Sequence, residues 1–203
     1  MANYIYDGDL PTGLDFGASV AVDSETMGLN PHRDRLCVVQ LSDGNGDAHL
    51  VKFKQGDFSA PNLKALMINP DVVKIFHFAR FDVAVMKKYL GIDTSPIYCT
   101  KIASKLVRTY TDRHGLKDLC RELGGVSLDK QQQSSDWGAD NISDAQKDYA
   151  ASDVLYLHTV KEKLDMMLAR EGRTHMAEAA FQFLPMRCEM DLAGYGDMDI
   201  FSH

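Results

Sequence analysis

Short apolar runs separated by turn residues mark the first half of the chain. Each run has the length of a strand rather than of a helix. Five strands are expected, at residues 18–22, 35–41, 49–53, 72–78 and 97–98. The first three follow one another through short links, so we expect them to form an antiparallel meander.

Helical periodicity takes over in the second half of the chain. Ser143 precedes an amphipathic run and Gln146 follows three residues later, which is the spacing of a capping box. Helices are expected at residues 81–89, 101–109, 116–123, 143–168 and 174–190, with a further helix beginning at Pro61. The chain thus begins with strands, continues with alternating strands and helices, and ends with helices. This order predicts an α/β fold with a mixed sheet of about five strands flanked by helices.

The chain length of 203 residues fits one compact domain with a hydrophobic core. We expect a single domain over residues 1–203, with its core at about 18–170 and a C-terminal helix and tail at 174–203. No run approaches the roughly 20 apolar residues of a membrane span, and the N-terminus lacks the parts of a signal peptide. The four cysteines are widely spaced, which favours reduced thiols over disulfides or a zinc site. These features predict a cytoplasmic protein with no membrane partner.

The net charge and the positions of the basic residues limit the ways in which this chain can bind nucleic acid. A net charge of −7 argues against a protein that coats long nucleic acid by charge alone, although acidic residues that hold cations contribute to that sum. The basic residues are crowded between positions 101 and 121, and Lys101, Lys105 and Arg108 have the spacing of one helical face. A solvated helix face and a phosphate-contacting surface both explain this pattern.

Two acidic residues stand at the end of the first predicted strand. Side chains alternate along a strand, so Asp23 and Glu25 point to the same side. Two neighbouring carboxylates repel each other unless a cation or a proton lies between them. Taken alone, the pair fits an exposed strand edge better than a metal site.

Three further residues add to this pair. Asp82 follows the fourth strand in the first turn of a helix, where a carboxylate can also simply complement the helix dipole. Tyr149 and Asp153 are four residues apart and therefore share one face of a predicted helix. Each motif is weak alone, but all three occur in order and in suitable local structure.

In this combination the chain resembles the DEDD exonucleases, in the branch whose third motif contains a tyrosine. The segments 23–29, 128–137 and 149–153 are similar to ribonuclease D, and the whole is most similar to nano-RNase C, the short ribonuclease D relatives of alphaproteobacteria. The likeness extends over about residues 20–170. Full-length ribonuclease D continues into helical nucleic-acid-binding modules, whereas this sequence stops soon after Arg170.

The resemblance implies a ribonuclease H-like fold and two divalent cations per site, Mg²⁺ or Mn²⁺. It implies that Asp23 bridges both ions, that Glu25 and Asp153 hold the ion that carries the attacking water, and that Asp82 holds the other. Tyr149 would orient the water, since a phenol with a pKa of about 10 is a poor base at neutral pH.

The substrate contacts that the resemblance suggests are less closely tied to motifs. Thr26 and Gly28 would hold the terminal nucleotide through the backbone, and Leu29 would wedge between bases unless it is an ordinary buried leucine. His77 would contact a phosphate, although a histidine here is more often part of the core. The remaining candidates are Lys105 or Arg108 for a 5′ phosphate, and Gln133 and Trp137 for lining the site.

The expected activity is 3′-5′ hydrolysis of short RNA, including dinucleotides, to nucleoside 5′-monophosphates. By resemblance the chain would form an octameric ring, for which the helix at 174–190 offers either an assembly surface or a face packed on its own core. Exonuclease action on DNA or on longer RNA is one alternative. A catalytically inactive binding module is another, against which the presence of all four acids and the tyrosine counts.

Overall fold

A central six-stranded sheet organises the computed structural model, which describes residues 2–128, 132 and 134–203. The spatial strand order is β1-β4-β3-β2-β5-β6. The β2–β3 and β3–β4 pairs are antiparallel, which confirms the expected meander, and the other three pairs are parallel. The strands are β1 (Asn3–Asp7), β2 (Ser19–Thr26), β3 (Leu36–Ser42), β4 (Ala48–Lys52), β5 (Val73–Phe76) and β6 (Ile97–Cys99).

The strand β1 was not expected from the sequence. It lies at the edge of the sheet with most of its residues exposed, so its sequence lacks the apolar run that marks a buried strand. It is held in place by pairing with β4 and by stacking of Tyr4 and Tyr6 on His49, with ring centroids 5.1 and 5.9 Å apart. The Tyr6 hydroxyl also lies 2.9 Å from His49 Nδ1.

Helices cover the sheet and supply one wall of the cleft described below. The capping box at Ser143 and Gln146 is present. The single helix expected at 143–168 is instead two helices, because it is interrupted at Tyr156, whose φ of −107° departs from the usual helical value of about −63°. The helices are α1 (Pro61–Ile68), α2 (Ala79–Leu90), α3 (Thr100–Val107), α4 (Leu116–Leu123), α5 (Asp144–Leu155), α6 (Leu157–Arg170) and α7 (Thr174–Met190), followed by one π-helical turn (Asp191–Tyr195).

The core lies on both faces of the sheet. Strand β3, at its centre, is buried at every residue, which explains its almost continuous apolar sequence. All four cysteines are buried and free, as the sequence predicted. Among the described residues, no helix has the length and apolar character that crossing a membrane requires.

Candidate active site

A cleft of about 670 Å³ opens where the end of β2, the β5–α2 junction and the middle of α5 meet. Three segments that are far apart in the sequence therefore line one cavity. The predicted site residues that line it are Asp23, Glu25, Thr26, Gly28, Leu29, His77, Asp82, Trp137, Tyr149 and Asp153.

Three carboxylates form a compact group in this cleft. Asp23, Glu25 and Asp153 each offer one oxygen, and these oxygens lie within 4.8 Å of one another. The alternation of side chains along β2 directs Asp23 and Glu25 to the same side, and α5 packs against β2 so that Asp153 faces them. Asp82, in the first turn of α2, completes the acidic lining.

Two polar side chains that the sequence did not single out hold these acids. The Ser24 hydroxyl donates a hydrogen bond of 2.6 Å to Asp82 Oδ1, and both side chains are buried. Gln40, buried on β3 directly opposite Asp23, places its Nε2 3.4 Å from Asp23 Oδ2. Ser24 stands between two acidic residues, which is a weak sequence signal, whereas the Gln40 contact depends on the strand register.

Crowding and burial raise the pKa of the acidic side chains. Burial is the largest cause for Asp23, followed by the charges of Asp82, Asp153 and Glu25, and its pKa lies well above the usual range. Burial, then Asp153 and Asp82, raises the pKa of Glu25 to about 9. Burial raises the pKa of Asp82 to about 7, against the opposing hydrogen bond from Ser24. A group of carboxylates that retains protons near neutral pH is a fitting site for cations that replace those protons.

Tyr149 lies one helical turn from Asp153 and borders the same group. Burial, and then the negative charges of Asp153, Glu25 and Asp23, raise the pKa of its hydroxyl far above the ordinary value of about 10. The phenol therefore stays protonated at neutral pH. The Trp137 ring lies 6.1 Å from the Tyr149 ring, measured between centroids.

The apolar and backbone candidates lie at the cleft opening. Leu29 is 85% exposed, so the alternative of an ordinary buried leucine is wrong. The Thr26 hydroxyl donates a hydrogen bond of 2.5 Å to the carbonyl of Gly28. A Cβ atom at Gly28 would overlap the Asp34 carboxylate, so a larger residue there would have to displace that side chain. His77 Nδ1 lies 2.9 Å from Thr100 Oγ1, which orients the ring beside the cleft.

Lys101, Lys105 and Arg108, which were expected to share one face of α3, lie in three different environments. The expectation that Arg108 contacts a 5′ phosphate requires a correction. Lys101 lines the cleft, whereas Lys105 is exposed and lines a neighbouring cavity. Arg108 is fully buried, forms an ion pair with Glu122 and donates a hydrogen bond of 2.6 Å to the carbonyl of Arg113. It cannot reach a substrate phosphate, because its guanidinium group stabilises the interior. Gln133 lies outside the described residues.

Comparison with known proteins gives consistent matches. A family model described as 3′-5′ exonuclease matches residues 11–169. Ribonuclease D of Acidiphilium cryptum is 39% identical over 154 residues, which are 76% of this chain and only 39% of that relative. Among solved structures, Brucella melitensis NrnC with bound Mg²⁺ has a TM-score of 0.96 and 53% identity over 100% of both chains.

A further structure of Brucella melitensis NrnC, bound to pGG, has a TM-score of 0.96 and 54% identity over 98% of both chains. The cleft, its acidic residues and the position of Tyr149 thus occur in a chain that matches NrnC along its whole length. This chain belongs to the 3′-5′ exonuclease family, among the ribonuclease D relatives that include NrnC.

Proposed function

We propose that this protein is a 3′-5′ exoribonuclease that hydrolyses short RNA, dinucleotides included, to nucleoside 5′-monophosphates with the help of two divalent cations. The observation that carries the proposal is the close group of Asp23, Glu25 and Asp153 oxygens, within 4.8 Å of one another, with Asp82 in the same cleft. Such a group is costly for a folded protein unless positive charge neutralises it.

The four carboxylates fit Mg²⁺ or Mn²⁺, because these hard cations take oxygen ligands. Bound cations would neutralise phosphate oxygens and favour ionisation of water. After burial, the charges of Asp82, Asp153 and Glu25 all raise the pKa of Asp23, so Asp23 lies close enough to the other acids to contribute to holding either ion. Glu25 and Asp153 would share one ion, and Asp82, held by Ser24, would bind the other.

The remaining cleft residues would bind and orient the substrate. The protonated Tyr149 hydroxyl would donate a hydrogen bond that orients the attacking water toward phosphorus. The exposed Leu29 side chain would pack against the terminal base, and the segment from Thr26 to Gly28 would contact its sugar through the backbone. His77 and Trp137 would line the phosphate and base positions.

The short-RNA preference is supported by the full-length match to NrnC and by the pGG that its structure contains, a 5′-phosphorylated dinucleotide in the usual notation. We also propose that residues 1–203 act as a single exonuclease domain in the cytoplasm. Assembly of that domain into an octameric ring is part of the same proposal. The exposed Met176, Phe183 and Met186 on α7 would contribute to the contacts between copies.

The test is cleavage of 5′-labelled RNA of two to about seven nucleotides, with Mg²⁺, with Mn²⁺ and with chelator. We expect metal-dependent loss of single 3′ nucleotides, fastest on the dinucleotide. Asp23→Asn should abolish cleavage, because the amide cannot replace the charge of the bridging carboxylate. Asp71→Asn is the matched control, since Asp71 is exposed and lies outside the cleft.

The other outcomes separate the alternatives. Faster cleavage of single-stranded DNA than of RNA of the same length would replace the RNA assignment with a DNA-directed exonuclease. Faster cleavage of the longest RNA would remove the dinucleotide preference. Absence of cleavage with either metal would leave the binding-module alternative.

A further inference from the structure

The C-terminal turn, defined here as residues 191–196, folds back from the end of α7 onto the first turn of α2. Arg80 donates two hydrogen bonds to the Asp191 carboxylate, of 2.6 and 2.7 Å, and a third of 2.7 Å to the carbonyl of Gly196. Paired hydrogen bonds between a guanidinium group and a carboxylate fix the geometry as well as contributing energy. The Asp191 side chain is only 15% exposed, so water screens this ion pair weakly. The tail that the sequence predicted after α7 is therefore fastened to α2 at this point.

The last turn of α7 holds the C-terminal turn from its other side. Arg187 Nη2 lies 3.0 Å from Asp191 Oδ1 and donates a hydrogen bond of 2.8 Å to the carbonyl of Gly196. The adjacent Cys188 thiol donates a hydrogen bond of 3.2 Å to the backbone carbonyl of Arg80. Two arginines from different helices thus share the Asp191 carboxylate, and both the side chain and the backbone of Arg80 contact this end of the chain.

Arg80 and Asp82 lie on opposite sides of the first turn of α2. Residues that are two positions apart on a helix with 3.6 residues per turn differ in direction by about 200°. Asp82 accordingly lines the catalytic cleft, whereas Arg80 binds the C-terminal turn and does not line the cleft. A contact that holds Arg80 therefore fixes the rotation of this turn about the helix axis, and with it the direction of the Asp82 side chain.

The first turn of α2 has no side-chain cap of its own. Phe78 precedes the helix, and its side chain cannot accept hydrogen bonds from the free N–H groups at the helix start. Its φ of 67° and ψ of 46° lie in the left-handed region, which aromatic residues rarely adopt and which persists where the surrounding structure imposes it. The hydrogen bonds to Arg80 supply such a constraint from outside the helix.

We propose that Asp191 is a positioning residue for the catalytic cleft. Through Arg80 it fixes the first turn of α2, and so the orientation in which Asp82 meets its divalent cation. This inference rests on the proposed function and extends it to the C-terminal turn. Asp191 is 111 residues away from Arg80 in the sequence and does not line the cleft, so it acts on the cation only through Arg80 and Asp82.

Isosteric variants separate this positioning role from general stability. Asp191→Asn replaces one acceptor oxygen by a donor, so the paired hydrogen bonds with Arg80 are lost. Arg80→Met removes the guanidinium group and keeps an unbranched side chain. Glu189→Gln is the matched control, because Glu189 on α7 also pairs with α2, through Lys87 at 3.1 Å, but more than one helical turn beyond Asp82.

We expect Asp191→Asn and Arg80→Met each to weaken Mg²⁺ binding and to lower kcat on the dinucleotide by about tenfold, the usual size of effect for partners that orient metal ligands. KM should change little, because no substrate contact is removed. The double variant should lose no more than either single variant, since the two changes break one interaction. Glu189→Gln should match the wild-type protein. Isothermal titration of Mg²⁺ and steady-state cleavage measure these quantities.

Unchanged Mg²⁺ affinity and kcat in Asp191→Asn, with only a lower melting temperature, would overturn the inference, because the contact would then serve stability alone. Additive losses in the double variant would contradict it too, since they would assign the two residues separate roles. Gel filtration compares the assembly of each variant, and a loss of kcat that follows a change in its size would assign the effect to contacts between copies instead.

Two further provisions keep the test decisive. Circular dichroism verifies that each variant is folded, and Arg80→Met alone carries the comparison if Asp191→Asn does not fold. A wild-type protein that binds Mg²⁺ but cleaves no oligonucleotide would remove the proposed function, whereas the Mg²⁺ affinities of the variants would still decide whether Asp191 positions Asp82. The two failures are therefore distinguishable.

Discussion

At the scale of single residues, Ser24 orients an acidic residue of the cleft, although its position between two acidic residues in the sequence does not indicate this role. It stands between two proposed metal ligands, Asp23 and Glu25, and its hydroxyl holds Asp82, 58 residues further along the chain. Partners of metal ligands that do not touch the metal fix the orientation of those ligands. Ser24 is therefore a positioning residue for Asp82.

We expect Ser24→Ala to weaken Mg²⁺ binding and to lower kcat by about 10-fold or more, because Asp82 loses its fixed orientation. Isothermal titration of Mg²⁺ into the folded variant and the Mg²⁺ dependence of cleavage both measure the effect. Ser24→Thr retains a hydroxyl and should restore most of the activity. An unchanged Mg²⁺ affinity in Ser24→Ala would show that the hydrogen bond does not position the ligand.

Tyr149 gives a second prediction at this scale. Tyr149→Phe should lower kcat by about 10²-fold or more, since the hydroxyl that orients the water is removed. Mg²⁺ affinity should stay the same, because no ligand oxygen is lost. A variant that loses Mg²⁺ binding together with activity would assign the hydroxyl to the metal site instead. The exposed Tyr110 provides a matched control as Tyr110→Phe.

At the scale of elements, the end of α3 depends on Arg108. The guanidinium group is buried and links α3 to α4 through Glu122 and to the connecting loop through the carbonyl of Arg113. Arg108→Met keeps a similar volume but leaves these acceptors without their donor. Since Glu122 is 35% exposed, water can partly replace the lost contact.

We therefore expect Arg108→Met to lower the free energy of unfolding by about 2 kcal/mol, which urea denaturation measures. Arg170→Met is the control, because the Arg170 side chain is 68% exposed and its pairing with Glu171 should contribute less than about 0.5 kcal/mol. Equal stability of the two variants would contradict the structural role of Arg108.

At the scale of the whole molecule, the acidic group couples stability to pH. The folded-state pKa values of about 9 for Glu25 and about 7 for Asp82 lie above the unfolded values of about 4. The folded state therefore binds protons more tightly than the unfolded state. This contribution to stability is complete below about pH 4 and is lost as pH rises through about 7 to 9.

Without divalent metal, the melting temperature should accordingly fall between pH 5 and pH 9, a range that follows from those raised pKa values. Saturating Mg²⁺ should reduce the fall, because bound cations replace the protons. Calorimetry in chelator and in Mg²⁺ measures both curves. Asp82→Asn should flatten the curve in chelator, and an unchanged slope in that variant would contradict the assignment.

The sequence by itself determined the order and approximate positions of most strands and helices. Apolar runs located five of the six strands because these strands are buried, and the capping spacing located the start of α5. The acidic residues were also predictable, since strand alternation and helical spacing place Asp23 beside Glu25 and Tyr149 beside Asp153. These are local rules, in which a few neighbouring residues decide the outcome.

Only the tertiary structure decided the features that depend on contacts between distant segments. The exposed strand β1 forms because β4 offers a pairing edge, and Gln40 reaches Asp23 because of the register between β2 and β3. Spacing alone put Arg108 on a surface with Lys105, whereas the folded chain buries Arg108, which pairs with Glu122 on α4 and donates a hydrogen bond to the carbonyl of Arg113. The burial of a single charged residue and the pairing of distant segments have no local sequence signal, because they depend on how whole elements pack.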